Sequence, residues 1–460
     1  METTSKLQVG DKLIRILMLT MMISSMSALM FNIVLPQISK EFNLTISEVS
    51  WFSSAYTLIY AIGTVTYGKL ADRFRLKNIL TFGIFLFALG SLIGLVSQTF
   101  WMALVGRCIQ SAGAAAIPAI AILIPIRYFA PERRGAALGM TAVGLALGSA
   151  LGPVIAALIV SIAHWRWLFF VPLLILVTLP YYRKYLNDEP TSTGKFDWIG
   201  AGLLAVTAAT LLLAVTNSTW LLLLVSAISF ILFILRIRTA AEPFVQPRIF
   251  QNKQYSVGVL LAVLITGIGI SLYFITPILL AQVYHLPPSW IGFAMVPAAI
   301  ASAFLGRKGG TLADRKGNAY SFTIASSSLI LCFFLLSSFT GISPILIAVF
   351  LILGNVGQSF MQIAMSNSIS STLPKDQIGV SMGIFSMMNF ITQGMATGVY
   401  SKLTNVQSDM AWNPLHSDAV SSSYSNLFLV LAAVHIGILL FYMYQSAASR
   451  KLAYRVEHNS

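Results

Sequence analysis

The chain is a string of long apolar runs separated by short polar connections. Each run reaches roughly 17 to 25 residues, the length of helix that crosses a hydrocarbon core of about 30 Å. Fourteen spans are predicted, at 13–36, 49–70, 79–97, 100–126, 136–161, 167–182, 198–216, 220–236, 257–283, 290–306, 320–339, 344–365, 380–401 and 425–446. The runs are apolar on every face and lack period-2 alternation, so helices are expected rather than barrel strands. Lipid offers the backbone no hydrogen bonds, which leaves helices as the way across. The first run is too long for a signal peptide and no small-residue cleavage site follows it, so it reads as an uncleaved anchor.

Composition agrees: 57% of residues are hydrophobic and 10% are charged, against about 25% charged in soluble domains. The net charge of +14 raises the question of nucleic acid, and the placement of the charge answers it. Twenty-five of the 29 basic residues fall in alternate connections and the tails; the other connections hold only Lys40, Arg166 and Lys402, and Arg107 lies inside a run. This asymmetry puts both termini in the cytoplasm and makes the lipid bilayer, not nucleic acid, the partner. Cys108 and Cys332 lie in apolar runs and read as packing residues. An enzyme is not expected: no nucleophile–base pair stands out and none of the five His has metal-ligand spacing. No metal or cofactor is expected either.

One internal repeat organises the chain. "GKLADRFRLKN" (68–78) returns as "GTLADRKGN" (310–318), after the second and the tenth predicted spans. Two homologous six-span halves would place the second copy after the eighth span, so a pair of spans is inserted. Spans 7 and 8, turned by "TNSTW" (216–220) and flanked by polar linkers, fit that insert. The expected fold is all-α and polytopic, two pseudo-symmetric six-helix bundles plus a two-helix insert. The units are 1–182, the linker with its hairpin at 183–256, 257–446, and a cytoplasmic tail at 447–460. The stretch 407–424 is the long outer loop and reads as a flexible cap.

With "GKLADRFRLKN", "RCIQSAGAAAIPA" (107–119) and "GLALGSALGP" (144–153) on one fourteen-span chain, the sequence resembles the major facilitator superfamily. More narrowly it resembles the fourteen-span drug:proton antiporters, especially the Gram-positive tetracycline efflux proteins. "NIVLPQISKEFN" (32–43), "AIGTVTYGKLAD" (61–72), "EPFVQP" (242–247) and "YSNL" (424–427) add to the likeness, which covers nearly the whole chain. The resemblance implies a small-molecule transporter of the bacterial cell membrane, working as a monomer, with its substrate site between the halves near the midplane. Whether protons take part is left open by the residues.

The loop motif offers Gly68, Asp72 and Arg73, repeated as Gly310, Asp314 and Arg315. A carboxylate at a span end can accept hydrogen bonds from a neighbouring helix start and pair with arginine; the resemblance implies a latch that holds one access state. Arg107, Gln110 and Gly113 match a motif of the fourth span. An arginine at membrane depth costs at least about 2.5 kcal/mol, so it is expected to face the protein interior or a cavity. Backbone carbonyls and Gln110 could equally hold it as a structural residue. Gly144, Gly148, Gly152 and Pro153 match the antiporter motif of the fifth span, and their spacing suits close helix packing.

The acids are the departure. All fifteen lie in loops, tails or span edges. The positions at which the tetracycline exporters carry intramembrane carboxylates fall on Ala28, Ser149 and Gln393. A carboxylate can bind a proton or a cationic drug by changing charge; these side chains cannot. Coupling would have to use Asp72, Asp314, Glu48 or His435, or be absent, and His435 is expected to be a packed hydrogen-bonding residue. The candidates for the cavity are Asn32, Tyr56, Arg107, Gln110, Tyr273, Gln358, Gln362, Asn389 and Gln393. With Arg107 and no acid, that cavity is expected to be neutral or slightly positive and to favour neutral or anionic amphipaths. The leading expectation is an exporter of antibiotic-like amphipathic molecules. The alternative is an uptake carrier or facilitator for a small neutral or anionic metabolite such as a vitamin.

Overall fold

The structure, a computed structural model, describes residues 2–44, 46–186, 196–217, 219–373, 378–404, 410–416, 418 and 421–458. Helix is the sole regular secondary structure among them. Helix α1 (Glu2–Met30) closes in a 3₁₀ turn at Phe31–Ile33, and α2 (Leu35–Glu41) follows with Pro36 in its first turn. The first predicted span therefore ends earlier than position 36. Next come α3 (Ile46–Arg73) and α4 (Leu76–Leu95).

The fourth predicted span is two helices, α5 (Phe100–Ala114) and α6 (Ala116–Tyr128). A proline ring conflicts with the carbonyl four residues back, and Pro118 places that conflict on Ala114, the last residue of α5. The 32-residue α7 (Pro131–Ile162) is continuous. The sixth predicted span departs furthest from one helix. It runs through a 3₁₀ stretch at Trp165–Phe169, α8 (Phe170–Leu173), a second 3₁₀ stretch at Leu174–Thr178 and α9 (Leu179–Tyr185). Pro172 and Pro180 each remove a helix donor there.

The hairpin is α10 (Trp198–Asn217) with α11 (Trp220–Thr239). After the short α12 (Arg248–Gln251) come α13 (Lys253–Gly269), α14 (Ser271–Gln282), α15 (Pro288–Lys316) and α16 (Asn318–Phe339). The chain ends with α17 (Pro344–Ser371), α18 (Ile378–Leu403) and α19 (Ser422–His458).

Twelve helical stretches among the described residues are long and apolar enough to cross a membrane. The second and thirteenth predicted spans are α3 and α18, helices of 28 and 26 residues whose Ser, Thr, Tyr, Asn and Gln make them more polar than the rest. Outward faces elsewhere carry bare apolar side chains, such as Phe82, Leu158 and Phe304, as lipid contact requires.

Helices before the hairpin pack mainly on one another, and so do those after it. Two long contacts join the sets, α3 on α18 and α7 on α15, while α10 of the hairpin leans on α18 and α3. The stretch 407–424 is not wholly a loose cap. In its described part Asn413, 2% exposed, donates to Ser337 Oγ and Ser338 Oγ at 2.9 and 3.0 Å, and the Trp412 amide donates to Asn426 Oδ1 at 2.7 Å.

Candidate functional site

The two copies of G-x-LADR bring their acids to the same kind of target. Asp72, at the end of α3, accepts from the amides of Gly379 and Val380 at 3.2 Å each. These lie in the first turn of α18, whose N–H groups have no intrahelical acceptor. Arg127 stands 3.8 Å from the same carboxylate and also donates to Ala71 O at 2.8 Å. Asp314, near the end of α15, accepts from Gly135 and Ala136 amides of α7 at 2.7 and 2.8 Å.

Glycine makes both approaches possible. A Cβ on Gly68 would lie 2.5 Å from Gly379 O, and one on Gly310 would lie 2.0 Å from Gly135 O. The sequence reading named Gly68 and Gly310 but missed their partners, Gly135 and Gly379, and the next contacts, Gly139 and Gly383. The signal was present as G-x-x-x-G at 135–139 and 379–383. Arg73 pairs with Glu242 at 3.4 Å, in the connection that follows α11. Arg315 is exposed.

Gly144, Gly148 and Gly152 face α1 within the first set of helices. Their Cβ positions would lie 2.2 Å from Met18 O, 2.1 Å from Ser25 Oγ and 3.0 Å from Met26 O. Pro153 continues the same helix.

Arg107 is fully buried, 0% exposed. Its guanidinium donates to Gln110 Oε1, to Ser27 O at 3.1 Å, to Ala28 O at 3.3 Å and to Ser27 Oγ at 3.5 Å. Gln110 is fixed in turn by Ser91 Oγ at 2.7 Å. The rings of Tyr56 and Phe31 lie 3.9 and 4.3 Å from the guanidinium carbon, with Phe52 at 5.8 Å. Among the described residues no carboxylate pairs with it. Ala28 contributes to this site through its backbone carbonyl.

The expected cavity set therefore divides. Arg107, Gln110, Tyr56 and Asn389 are closed off; Asn389 Oδ1 accepts from Thr266 at 2.8 Å. Gln358 is wedged against Gly269, the end of α13. Asn32, Tyr273, Gln362 and Gln393 keep accessible surface, and Asn32 accepts from Ser53 Oγ at 2.7 Å. The accessible polar groups are thus amides and hydroxyls. A neutral or slightly positive lining was expected; with Arg107 buried under carbonyls and rings, the accessible members of the set in this conformation are the neutral ones. Two surface hollows, of about 270 and 350 Å³, lie elsewhere, one beside His164 and Arg166 and one between α10 and α11. His435 is buried, yet neither ring nitrogen has a hydrogen-bond partner among the described residues.

At the end opposite Asp72 and Asp314, Glu41 pairs with Arg166 at 2.7 Å and accepts from Trp165 Nε1 at 2.5 Å. Burial pushes the Glu41 carboxyl up, but the Trp165 and Arg166 donors outweigh it and hold the group below the usual range.

A family model described as Major Facilitator Superfamily matches residues 17–397. The chain belongs to that superfamily. It is a multi-pass membrane transporter. One superfamily relative, multidrug resistance protein 3 of Bacillus subtilis (strain 168), is 28% identical over 377 residues, 78% of this chain and 73% of that protein. Another, the riboflavin transporter RibZ of Clostridioides difficile (strain 630), is 22% identical over 441 residues, 94% of this chain and 96% of its own. In fold the chain is similar to the crystal structure of the human organic anion transporter MFSD10 (TETRAN), with a TM-score of 0.69 at 13% identity, over 94% of this chain and 99% of that one.

Proposed function

We propose that this superfamily member exports neutral amphipathic small molecules across a bacterial cytoplasmic membrane by alternating access. In this reading α3 and α18 also cross the bilayer, giving fourteen spans in a six, two, six order with both termini cytoplasmic, and the transporter works as a monomer. The ends closed by Asp72 and Asp314 then face the cytoplasm, and the two latches hold the inward gate shut.

The observation that carries the substrate class is the chemistry of the candidate site residues. Arg107 is neutralised by carbonyls and rings without an acid, and the accessible polar groups are Asn32, Tyr273, Gln362 and Gln393. Amides and phenols orient a neutral solute among apolar contacts, whereas a cation finds no carboxylate to replace its hydration. Export is supported by the likeness to multidrug resistance protein 3. A second reading, uptake of a neutral or weakly anionic metabolite, is supported by the match to the riboflavin transporter along nearly the whole of both chains.

Flux in proteoliposomes, with and without a pH gradient, tests both. A panel holding riboflavin, an uncharged amphipathic antibiotic and a permanent cation such as ethidium is the probe. Saturable movement of an uncharged compound with none of the cation is expected. Preferred transport of ethidium would overturn the substrate class. Accumulation of riboflavin by cells carrying the gene would select uptake over export.

A further inference from the structure

We infer that the inserted hairpin, α10 with α11, is a strap across the first latch that favours the closed Asp72 end and is released at Arg73. This rests on the reading of α3 and α18 as a gating pair.

One buried acid ties the hairpin together. Asp197, just before α10, accepts from the Gly200 amide at 3.0 Å, from Arg236 Nε at 3.1 Å near the end of α11, and from the Phe244 amide at 3.2 Å in the exit connection. From this knot two side chains reach the residue that follows the latch acid. Glu242 pairs with Arg73 at 3.4 Å, and the Phe196 ring lies 6.0 Å from the Arg73 guanidinium.

The hairpin is equally committed to the other partner of the gate. Leu212 of α10 fills the space beside Gly394 of α18, where a Cβ would lie 2.4 Å from Leu212 Cδ1. Beyond Glu242 the chain passes through Phe244 and Val245, each 1% exposed, and enters α12 and the second set of helices. The strap thus spans both sides of the α3–α18 seam. No hairpin helix packs on the α7–α15 seam among the described residues.

When α3 and α18 separate, the hairpin cannot keep both attachments. The attachment to α18 is apolar packing reinforced by the chain connection. Toward α3 the hairpin has the packing of α10 on α3 and, at Arg73, an ion pair whose arginine and glutamate side chains are 10% and 49% exposed, a partly exposed geometry that contributes little against water, with a ring contact at the outer limit of cation–π range. Arg73 is therefore where the strap lets go, and the ion pair there sets a small, adjustable bias toward closure.

The test is a spin-label distance measurement on the full chain in lipid nanodiscs, without substrate. Labels go on cysteines at exposed positions Asn78 of α4 and Ser371 of α17, in a background lacking Cys108 and Cys332. Glu242→Gln is expected to raise the long-distance, open population about two- to five-fold, the range set by a half-exposed ion pair. The reversed pair, Arg73→Glu with Glu242→Arg, is expected to return it to the wild-type value. An unchanged distribution in Glu242→Gln overturns the inference, and so does a reversed pair that stays as open as the single variant. Since no cargo is involved, failure here is separable from failure of the transport reading.

Discussion

Asp72 is 2% exposed and lies 3.2 Å from each of its two amides, with Arg127 nearby; Asp314 is only partly buried but lies 2.7 and 2.8 Å from its pair. The same motif has reached the same chemistry by two balances. The first latch loses hydration and recovers it through cations and a first-turn helix site. The second keeps some water contact and relies on two short charge-assisted bonds. The difference extends inward, since the first set encloses Arg107 under carbonyls and rings, whereas α17 in the second set carries Asn355, buried and bonded to Leu351 O, Gln358 against Gly269 and the partly accessible Gln362.

The largest effect expected from disturbing one side alone is Arg107→Ala. It strands Ser27 O, Ala28 O and Gln110 and opens space beneath Tyr56 and Phe31. A loss of about 3 kcal/mol or more is expected, read as a lower thermal midpoint in detergent. Gln358→Ala in the second set is expected to cost well under half as much. Equal losses would erase the contrast between the two interiors.

Next are the seam glycines. Gly310→Ala drives a methyl to 2.0 Å from a facing carbonyl, Gly68→Ala to 2.5 Å. Each is expected to disfavour the closed end by about 1–3 kcal/mol, with Gly310→Ala the more severe. Alkylation of a cysteine placed beside each seam measures this; undiminished protection in both variants would show that the backbones do not need such close approach.

Asp314→Asn is expected to weaken closure by about 2 kcal/mol and Asp72→Asn by about 1 kcal/mol, because the shorter bonds are the more charge-assisted. If Asp72→Asn is the more damaging in the same alkylation assay, burial rather than bond length governs latch strength.

The smallest expected effect is pH-dependent and belongs to Asp197. Burial raises its carboxyl, but Gly200, Arg236 and Phe244 donors outweigh burial and the pKa is lowered. The sign follows: its stabilising contribution is complete above the ordinary Asp value of about 3.9 and is lost as pH falls through the lower native value. Asp197→Asn is expected to cost about 1 kcal/mol at pH 7, with the two melting curves converging only as pH falls below that lowered native value. A gap that persists in acid would assign the role to shape rather than charge.

Much of this was legible from the sequence. Run length and the absence of alternation pointed to helices, and G-x-LADR located both latch acids at helix ends. Three features were not legible. The breaks at Ala115 and through Trp165–Tyr185 depend on where prolines fall within a packed turn. The cover over Arg107 comes from Phe31, Phe52 and Tyr56 on two other elements, and pattern along one helix cannot report a neighbour's rings. The attachment of Arg73 to Glu242 links residues far apart in the chain, and the family-like EPFVQP stretch that Glu242 opens carries no signal of its partner.

The enclosure of Arg107 has a consequence for energetics across the bilayer. A guanidinium held by its own scaffold does not travel, and an uncharged cargo adds nothing to it. A cycle of that kind displaces little charge through the membrane field, where each elementary charge moved would be worth about 2.3 kcal/mol per 100 mV. In the proposed reading, and with no proton carried, turnover would be set by concentration differences and hardly by voltage.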